Sequence, residues 1–452
     1  MTIPVCDLIA CVDANINAVT TCELTFLQLS SVTKDFDRSW VKSVDTVASL
    51  PDATLNKGRM IYVQSVCGYR ISDGVTWSND FTSTLQDFQI WSWGNNNNGL
   101  LGNGTTSTRS SPVSVVGGFT DWCQVSAGSG DMMAVRTGGT AWAWGNNQCG
   151  RLGDNTTTNK SSPVSVVGGF TDWCQVSAGG QHSVAVRSSG SAWAWGRNYT
   201  GQLGNNTTTN ESSPVSVVGG FSDWCAVNAA SGGSHTLAVR SNGTAWAWGC
   251  NSGGRLGDNT TTPRSSPVSV VGGFTDWCQV SAGNYHSVAV RRGGSVWAWG
   301  CNSYGQIGDN SSSLTDRSSP VSVVGGFTDW CQASAGNRHN VAVRSSGSSW
   351  AWGRNQFGQL GNNTTTNQSS PVSVVGGFTN WCQVSAGGSF NVAVRTVGSA
   401  WAWGYNNSGT LGNNTTTNQS SPVSVVGGFT DWYQVSAGEN SSAALNATRG
   451  FA

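Results

Sequence analysis

One segment, Ser-Ser-Pro-Val-Ser-Val-Val-Gly-Gly-Phe, occurs seven times, with its proline at Pro112, Pro163, Pro214, Pro267, Pro320, Pro371 and Pro422. The spacings are 51, 51, 53, 53, 51 and 51 residues. A chain built this way folds as an array, because one such unit cannot bury its apolar face alone and stacking neighbours makes the core continuous. Two more markers keep the same period. Trp-x-Trp-Gly runs from Trp91 to Gly94 through Trp401 to Gly404, and Gly-Gly-Phe-x-(Asp/Asn)-Trp runs from Phe119 and Trp122 to Phe429 and Trp432. The repeat thus absorbs most of the 23 tryptophans and many of the 60 glycines.

Within the second unit, four short runs have alternating or β-branched character: Trp173 to Ala178, Ser183 to Arg187, Ser191 to Trp195 and Pro214 to Val218. Gly pairs, Ser-Gly and Asn-rich stretches separate them, which is strand and turn grammar. Four strands in about fifty residues, repeated seven times, predict an all-β, seven-bladed β-propeller with four-stranded blades over residues 88–452. The ends complement each other. The last unit stops after two strands, and the first Trp-x-Trp-Gly lacks the strands that normally precede it. This predicts a closing blade with two inner strands from the C-terminus and two outer strands, near 88–93 and 112–116, so that no edge is left unpaired.

The chain is 10% charged, with 23 basic and 23 acidic residues. Its only lysines are Lys34, Lys42, Lys57 and Lys160. Clustered cations are what nucleic acid and anionic membrane surfaces require, so neither is an expected partner. No apolar run is long enough to span a bilayer.

The stretch Val296-Trp-Ala-Trp-Gly-Cys-Asn-Ser-Tyr-Gly-Gln-Ile-Gly308, followed by a Pro-Val strand and Ser334-Ala-Gly-Asn-Arg-His339, resembles the regulator of chromosome condensation (RCC) repeat. The resemblance covers residues 88 to about 447. It implies a seven-bladed propeller used as a binding platform, in some members for guanine-nucleotide exchange on a small GTPase. His182, His235, His286 and His339 occupy the histidine of its Ala-Gly-x-x-His motif, and Asp131, Phe390 and Asn440 are aligned with it in the other units. An occurrence of four in seven favours a structural role, a ring atom bonding a backbone group of the next blade. The longest insertion in any unit is two residues, which leaves no room for the protruding hairpin of an exchange factor.

The remaining repeated residues read as architecture. Trp142, Trp144, Trp193 and Trp195 are core positions, and Asp172 with Arg187 stands for a periodic ion pair. Cys123 and its repeats are expected to be small buried apolar residues rather than disulfides, because ring-related positions do not meet disulfide geometry. The hydroxyl- and amide-rich loops should gather on one side of the disc. Asn155, Thr156, Asn206, Thr207, Asn259, Thr260, Asn363, Thr364, Asn414 and Thr415 are therefore the candidate binding-loop residues. No nucleophile elbow, phosphate loop or zinc motif occurs, so no enzyme, cofactor or metal is expected.

Residues 1–87 are unlike the repeats and carry 6 basic against 10 acidic residues. They read as a small α+β attachment or assembly region, with an amphipathic helix over 5–29 and a β-module over 48–82. The helix stripe of Val5, Leu8, Val12, Ile16 and Val19 suits packing on the propeller or on copies of itself, which makes a homo-oligomer one expectation. Leu50-Pro51, Gly58, Tyr62-Val63 and Tyr69-Arg-Ile-Ser-Asp-Gly-Val-Thr-Trp77 resemble a short module of bacteriophage tail fibres. That resemblance implies a non-enzymatic viral structural protein located in the virion. It would bind other virion proteins through residues 1–87 and display the propeller to a host receptor or glycan. The alternative is an intracellular interaction scaffold or small-GTPase regulator of the chromosome-condensation-regulator type.

Overall fold

The computed structural model describes residues 60–63, 68–72, 77–78 and 87–448. The helix expected over 5–29 and the cysteines Cys6, Cys11, Cys22 and Cys67 lie outside them. Within 48–82, strands Met60–Val63, Gly68–Ser72 and Trp77–Ser78 pair antiparallel in that order. Among the described residues no helix is long and apolar enough to cross a membrane.

The repeats form seven four-stranded antiparallel sheets, the blades of the propeller. Blades 1 to 6 begin with inner strands Trp122–Ala127, Trp173–Ala178, Trp224–Ala229, Trp277–Ala282, Trp330–Ala335 and Trp381–Ala386. Blade 7 closes the ring as the chain ends predict. Its order is Trp432–Ala437, Ser441–Thr448, Asp87–Gly94, Arg109–Ser114. The two chain ends pair continuously from Ser441↔Gly94 to Thr448↔Asp87. This register aligns Ser441, and not Asn440, with His182, since His182 pairs with Gly196 as Ser441 pairs with Gly94.

The core lies between blades. Trp144 and Trp195 are fully buried; Trp142 and Trp193, two residues earlier and so on the same face of the sheet, are half-buried nearer the hairpin end of the strand. Trp195 donates its Nε1–H to Arg151 O of the preceding blade at 2.9 Å. Gly153 makes room for that indole: a Cβ there would lie 2.6 Å from Trp195 Nε1, and its φ is +68°. Phe170 meets Trp173 edge-on at 5.3 Å and Trp193 at 4.9 Å, a geometry rings prefer for the sign of their quadrupoles.

The sheets of neighbouring blades are also laced at the axis. Gln124 Oε1 accepts from Val176 N–H at 2.8 Å, and Ser126 Oγ accepts from Ala178 N–H at 3.0 Å. Gln175 and Ser177 do the same for Val227 and Ala229 in blade 3, and Gln434 and Ser436 for Val125 and Ala127 in blade 1. This belt satisfies the inner strands' exposed N–H groups, which would otherwise be open sheet edges. Blade 3 breaks it: Ala226 stands where the others have Gln, while Asn228 still accepts from Ala282 N–H at 2.7 Å.

Candidate functional site: the loop face

Strand direction sorts the connections onto two faces of the disc. One face carries the Val-Val-Gly-Gly-Phe connections and the tight hairpins after Arg136 and its repeats. The other, the loop face, carries the Ala-Gly turns before the second strands and the long loops between third and outer strands, such as 146–159.

On the first face the periodic acid and base pair as the sequence suggests. Arg187 Nε lies 2.7 Å from Asp172 Oδ1, and its guanidinium stacks 4.2 Å above Phe170. Asn380 takes the acid's place in blade 6 and accepts from Arg395 Nε at 2.7 Å. The repeated cysteines sit at the bulge that follows each inner-strand Trp, where Cys174 Sγ donates to Val186 O at 3.4 Å. They are not uniformly buried: Cys278 is, whereas Cys331 and Cys382 are exposed. Cys123, Cys174 and Cys225 are partly buried against the inter-blade core clusters, and Cys278 belongs to one.

Under the loop face runs a chain of buried histidines. His182 Nε2 lies 2.9 Å from Thr236 Oγ1, His235 Nε2 3.1 Å from Ser287 Oγ, His286 Nε2 2.8 Å from Asn340 Oδ1 and His339 Nε2 3.0 Å from Asn391 Oδ1. Each crosses to the next blade, but to a side chain rather than the backbone group expected. That side chain in turn holds a backbone carbonyl of its own inter-blade seam, as Asn340 Nδ2 does with Gln306 O at 2.7 Å. Burial disfavours the imidazolium, so the His182 pKa falls to about 3 and those of His286 and His339 to about 4. All are neutral at physiological pH, which suits structure and not proton transfer. Asp131 holds the same position in blade 1, fully buried, with Arg151 Nη1 at 3.8 Å. Burial raises its pKa to about 7, against the opposing pull of the Arg151 charge.

The candidate binding-loop residues are largely committed to holding the loops. Asn155, Asn206, Asn259, Asn363 and Asn414 have φ between +58° and +61°, the left-handed turn that Asn tolerates. Their N–H groups strap each loop to the next blade's outer strand, as Asn155 does with Ser212 O at 2.9 Å and Asn414 with Ser110 O at 2.8 Å. Thr156 Oγ1 donates to Asp154 Oδ1, and buried Asn147 Nδ2 reaches Asp154 Oδ1 and Thr156 O. Thr207, Thr364 and Thr415 repeat this, and Thr260 does so with Asp258. All of these side chains lie on the loop face, and all but the half-buried Thr260 are exposed. Asp154 spends Oδ1 on turn hydrogen bonds and faces Lys160 Nζ with Oδ2 at 3.6 Å, and no cluster suited to a metal occurs among the described residues.

What the repeat pattern hides is which positions differ between copies. Ser-Ser-Pro-Val-Ser and Val-Val-Gly-Gly-Phe are identical in all seven units. In Trp-Gly-x-Asn-x-x-Gly the last x is Asn98, Cys149, Thr200, Gly253, Tyr304, Phe357 and Ser408, a different residue in every blade. The residue before the histidine position is Gly130, Gln181, Ser234, Tyr285, Arg338, Ser389 and Asn440. The residue after Trp-Gly is Asn95, Asn146, Arg197, Cys250, Cys301, Arg354 and Tyr405. The last two positions are joined in every blade by a backbone hydrogen bond, such as Arg354 N–H to Arg338 O at 2.9 Å. Divergence within this chain therefore concentrates on the loop face.

The largest diverged group spans blades 4 to 6. The Arg338 guanidinium lies 4.6 Å from the Tyr285 ring and 5.0 Å from the Tyr304 ring. Arg354 lies 5.2 Å from Tyr304 and 5.9 Å from Phe357, and Phe357 packs on Tyr405 at 4.8 Å.

Blade count, closure and the loop-face motifs agree with one known architecture: the RCC1-like domain pattern matches residues 75–444. The chain belongs to the RCC1-like domain family. It is 31% identical over 331 residues to the ultraviolet-B receptor UVR8 of Arabidopsis thaliana, covering 72% of this chain and 74% of the receptor. It is 29% identical over 313 residues to human E3 ubiquitin-protein ligase HERC2, covering 67% of this chain but 6% of the ligase. Among solved structures, Prp20p of Saccharomyces cerevisiae aligns with a TM-score of 0.72 at 19% identity, over 81% of this chain and 93% of that one. Human WBSCR16 gives 0.71 at 19%, over 80% and 99%. Both structural likenesses concern the fold. The RCC1-like match begins before the first propeller strand at Asp87 and runs into the last, Ser441–Thr448, so every blade is included in it.

Proposed function

We propose that this RCC1-like propeller is a non-enzymatic interaction platform that docks protein partners on its loop face. One observation carries the reading: between seven otherwise near-identical repeats, the positions that differ most meet on that face, while the hairpin positions such as Gly138, Ser189, Asn242, Gly293, Ser346 and Val397 vary less. A framework position under a common packing constraint keeps one residue in most copies. A position that touches a partner differs from blade to blade, because the partner lacks the ring's symmetry.

Relatives support an interaction role in general terms. Prp20p is described as binding Gsp1p and histones, and UVR8 and HERC2 are a receptor and a ubiquitin ligase. Their partners are not transferred to this chain. The virion reading, with its host receptor or glycan, finds no support in the family or in these relatives, and the scaffold alternative replaces it. The GTPase-regulator form of that alternative is not favoured, because insertions in the repeats do not exceed two residues.

The test compares faces. A variant combining Tyr304→Ser, Arg354→Ser and Phe357→Ser alters the loop face, and one with Val397→Ser and Thr396→Glu alters the hairpin face. Proteins co-purifying with the full chain from its native cells should be lost with the first and kept with the second. The reverse pattern would sink the proposal.

A further inference from the structure

We propose that the arginine–aromatic cluster of blades 4 to 6 is a docking site for an acidic peptide segment of a partner protein. This rests on the loop-face reading and names the partner's chemistry.

Arg338 and Arg354 are half-exposed, and neither makes an ion pair among the described residues. The contrast with the hairpin face is direct. There, Arg136, Arg187, Arg240, Arg291 and Arg344 each meet an aspartate at 2.7–2.8 Å. Both arginine sets lie over aromatic rings, but only the hairpin-face set is neutralised. The Tyr285, Tyr304 and Phe357 rings lie under the two guanidiniums at 4.6–5.9 Å and restrain their motion. Ring contact does not consume the in-plane N–H groups of Arg338; Arg354 gives one Nη2–H to Gln356 Oε1 and its Nε–H is buried, so only its remaining Nη donors are open to a ligand. A restrained, unneutralised guanidinium fork is built for a carboxylate, which it holds with two parallel hydrogen bonds.

The surroundings supply the rest of a peptide site. Tyr304, Arg354, Gln356 and Thr365 to Asn367 line one open depression between blades 4 and 5. Half-exposed Tyr285, Tyr304, Phe357 and Tyr405 offer amphipathic contact area beside the charges, and Tyr with Arg is the composition of interface hot spots. Single-stranded nucleic acid also uses arginine and aromatics, but it needs a basic track following its backbone. The described residues hold one lysine, Lys160, which is paired with Asp154 at 3.6 Å. Two free guanidiniums suit two or three carboxylates, so a segment with Asp or Glu alternating with an apolar residue is the occupant.

The experiment uses the full chain and three fluorescent probes read by anisotropy: a peptide of alternating Glu and Phe, its Gln-for-Glu counterpart, and oligo-dT. The Glu peptide should bind, weaken as salt rises, and lose about tenfold or more in affinity with Arg338→Ala/Arg354→Ala, the scale of two arginine hot spots. Arg197→Ala, on the same face in blade 2, should leave binding unchanged, and near-ultraviolet circular dichroism should show each variant folded. Equal binding of the Gln peptide, tighter binding of oligo-dT, binding insensitive to the arginine pair, or no binding would each overturn the proposal. So would a mass in solution showing that the arginine pair instead joins two copies of this chain. If the face comparison above succeeds while the Glu peptide fails, the platform stands and only its partner chemistry falls.

Discussion

Ala226 marks the one break in the glutamine belt that laces the inner strands. Elsewhere a Gln Oε1 accepts from a backbone N–H of the next blade, as Gln383 does from Val435 and Gln279 from Ala333, both at 2.9 Å. At the blade 3–4 seam Ala226 supplies no acceptor for Val280. Ala226→Gln should fill it. A net hydrogen bond is worth about 0.5–1.5 kcal/mol, and ordering a glutamine costs on the order of 1 kcal/mol when it is half-buried. The neighbours Gln175 and Gln279 show that the side chain fits the lining of the central channel. The bond and the ordering cost nearly cancel, so the expected result lies between neutral and about 0.5 kcal/mol more stable. Gln383→Ala runs the other way and strands the Val435 N–H, at roughly 1–2 kcal/mol. In a ring of this size each kcal/mol moves the melting temperature by about 1–2 °C. Scanning calorimetry of the two variants reads the sign directly. If both substitutions lower the melting temperature alike, or if Gln383→Ala changes nothing, the belt does not hold the blades together.

Other consequences are independent of the belt. Asp131 has a folded pKa of about 7 against 3.8 unfolded, so the folded state binds the extra proton between those values. Stability should thus fall by a few kcal/mol as pH rises from about 4 to 7, and Asp131→Asn should remove that slope in urea titrations at two pH values. The histidines act oppositely: burial brings the folded pKa of His182 to about 3 and those of His286 and His339 to about 4, and holds His235 well below the usual 6.5. Their contribution is full above pH 6.5 and is lost as pH falls toward 4. His339→Phe should fold, because Phe390 occupies the equivalent seat in blade 6, and should move the acid-unfolding midpoint to lower pH. Trp195→Ala removes a fully buried indole and its bond to Arg151 O, at about 3–5 kcal/mol. A midpoint loss well below that in guanidinium would show the inter-blade core to be redundant.

The fold was legible because seven copies average out local ambiguity. A single Trp-Ala-Trp-Gly run says little, but its recurrence beside Pro-Val strands fixes four strands per blade. The missing strands at the two ends reveal the closure that pairs Ser441–Thr448 with Asp87–Gly94. The site was less legible for the same reason. Asn155 and Thr156 stand out by repetition, and repetition is the mark of the straps they turn out to make. In the sequence the Gln and Ser of the belt look like ordinary strand residues, since only the ring geometry shows which edge their amides and hydroxyls serve. The histidine alignment slipped by one residue in the last unit, where Ser441 takes the seat and no aromatic marks the register. Tyr304, Arg338, Arg354 and Phe357 carry a signal that could have been read without a structure. Comparing the seven units column by column, rather than collecting what they share, isolates these positions.

The central claim is that partners meet the loop face. Site-specific photo-crosslinking in the native cell tests it most directly, with a benzophenone side chain in place of Gln356 on the loop face or of Val397, 57% exposed on the hairpin face. The account predicts a discrete covalent adduct from the Gln356 position and none from Val397. An adduct formed from Val397 alone would contradict it.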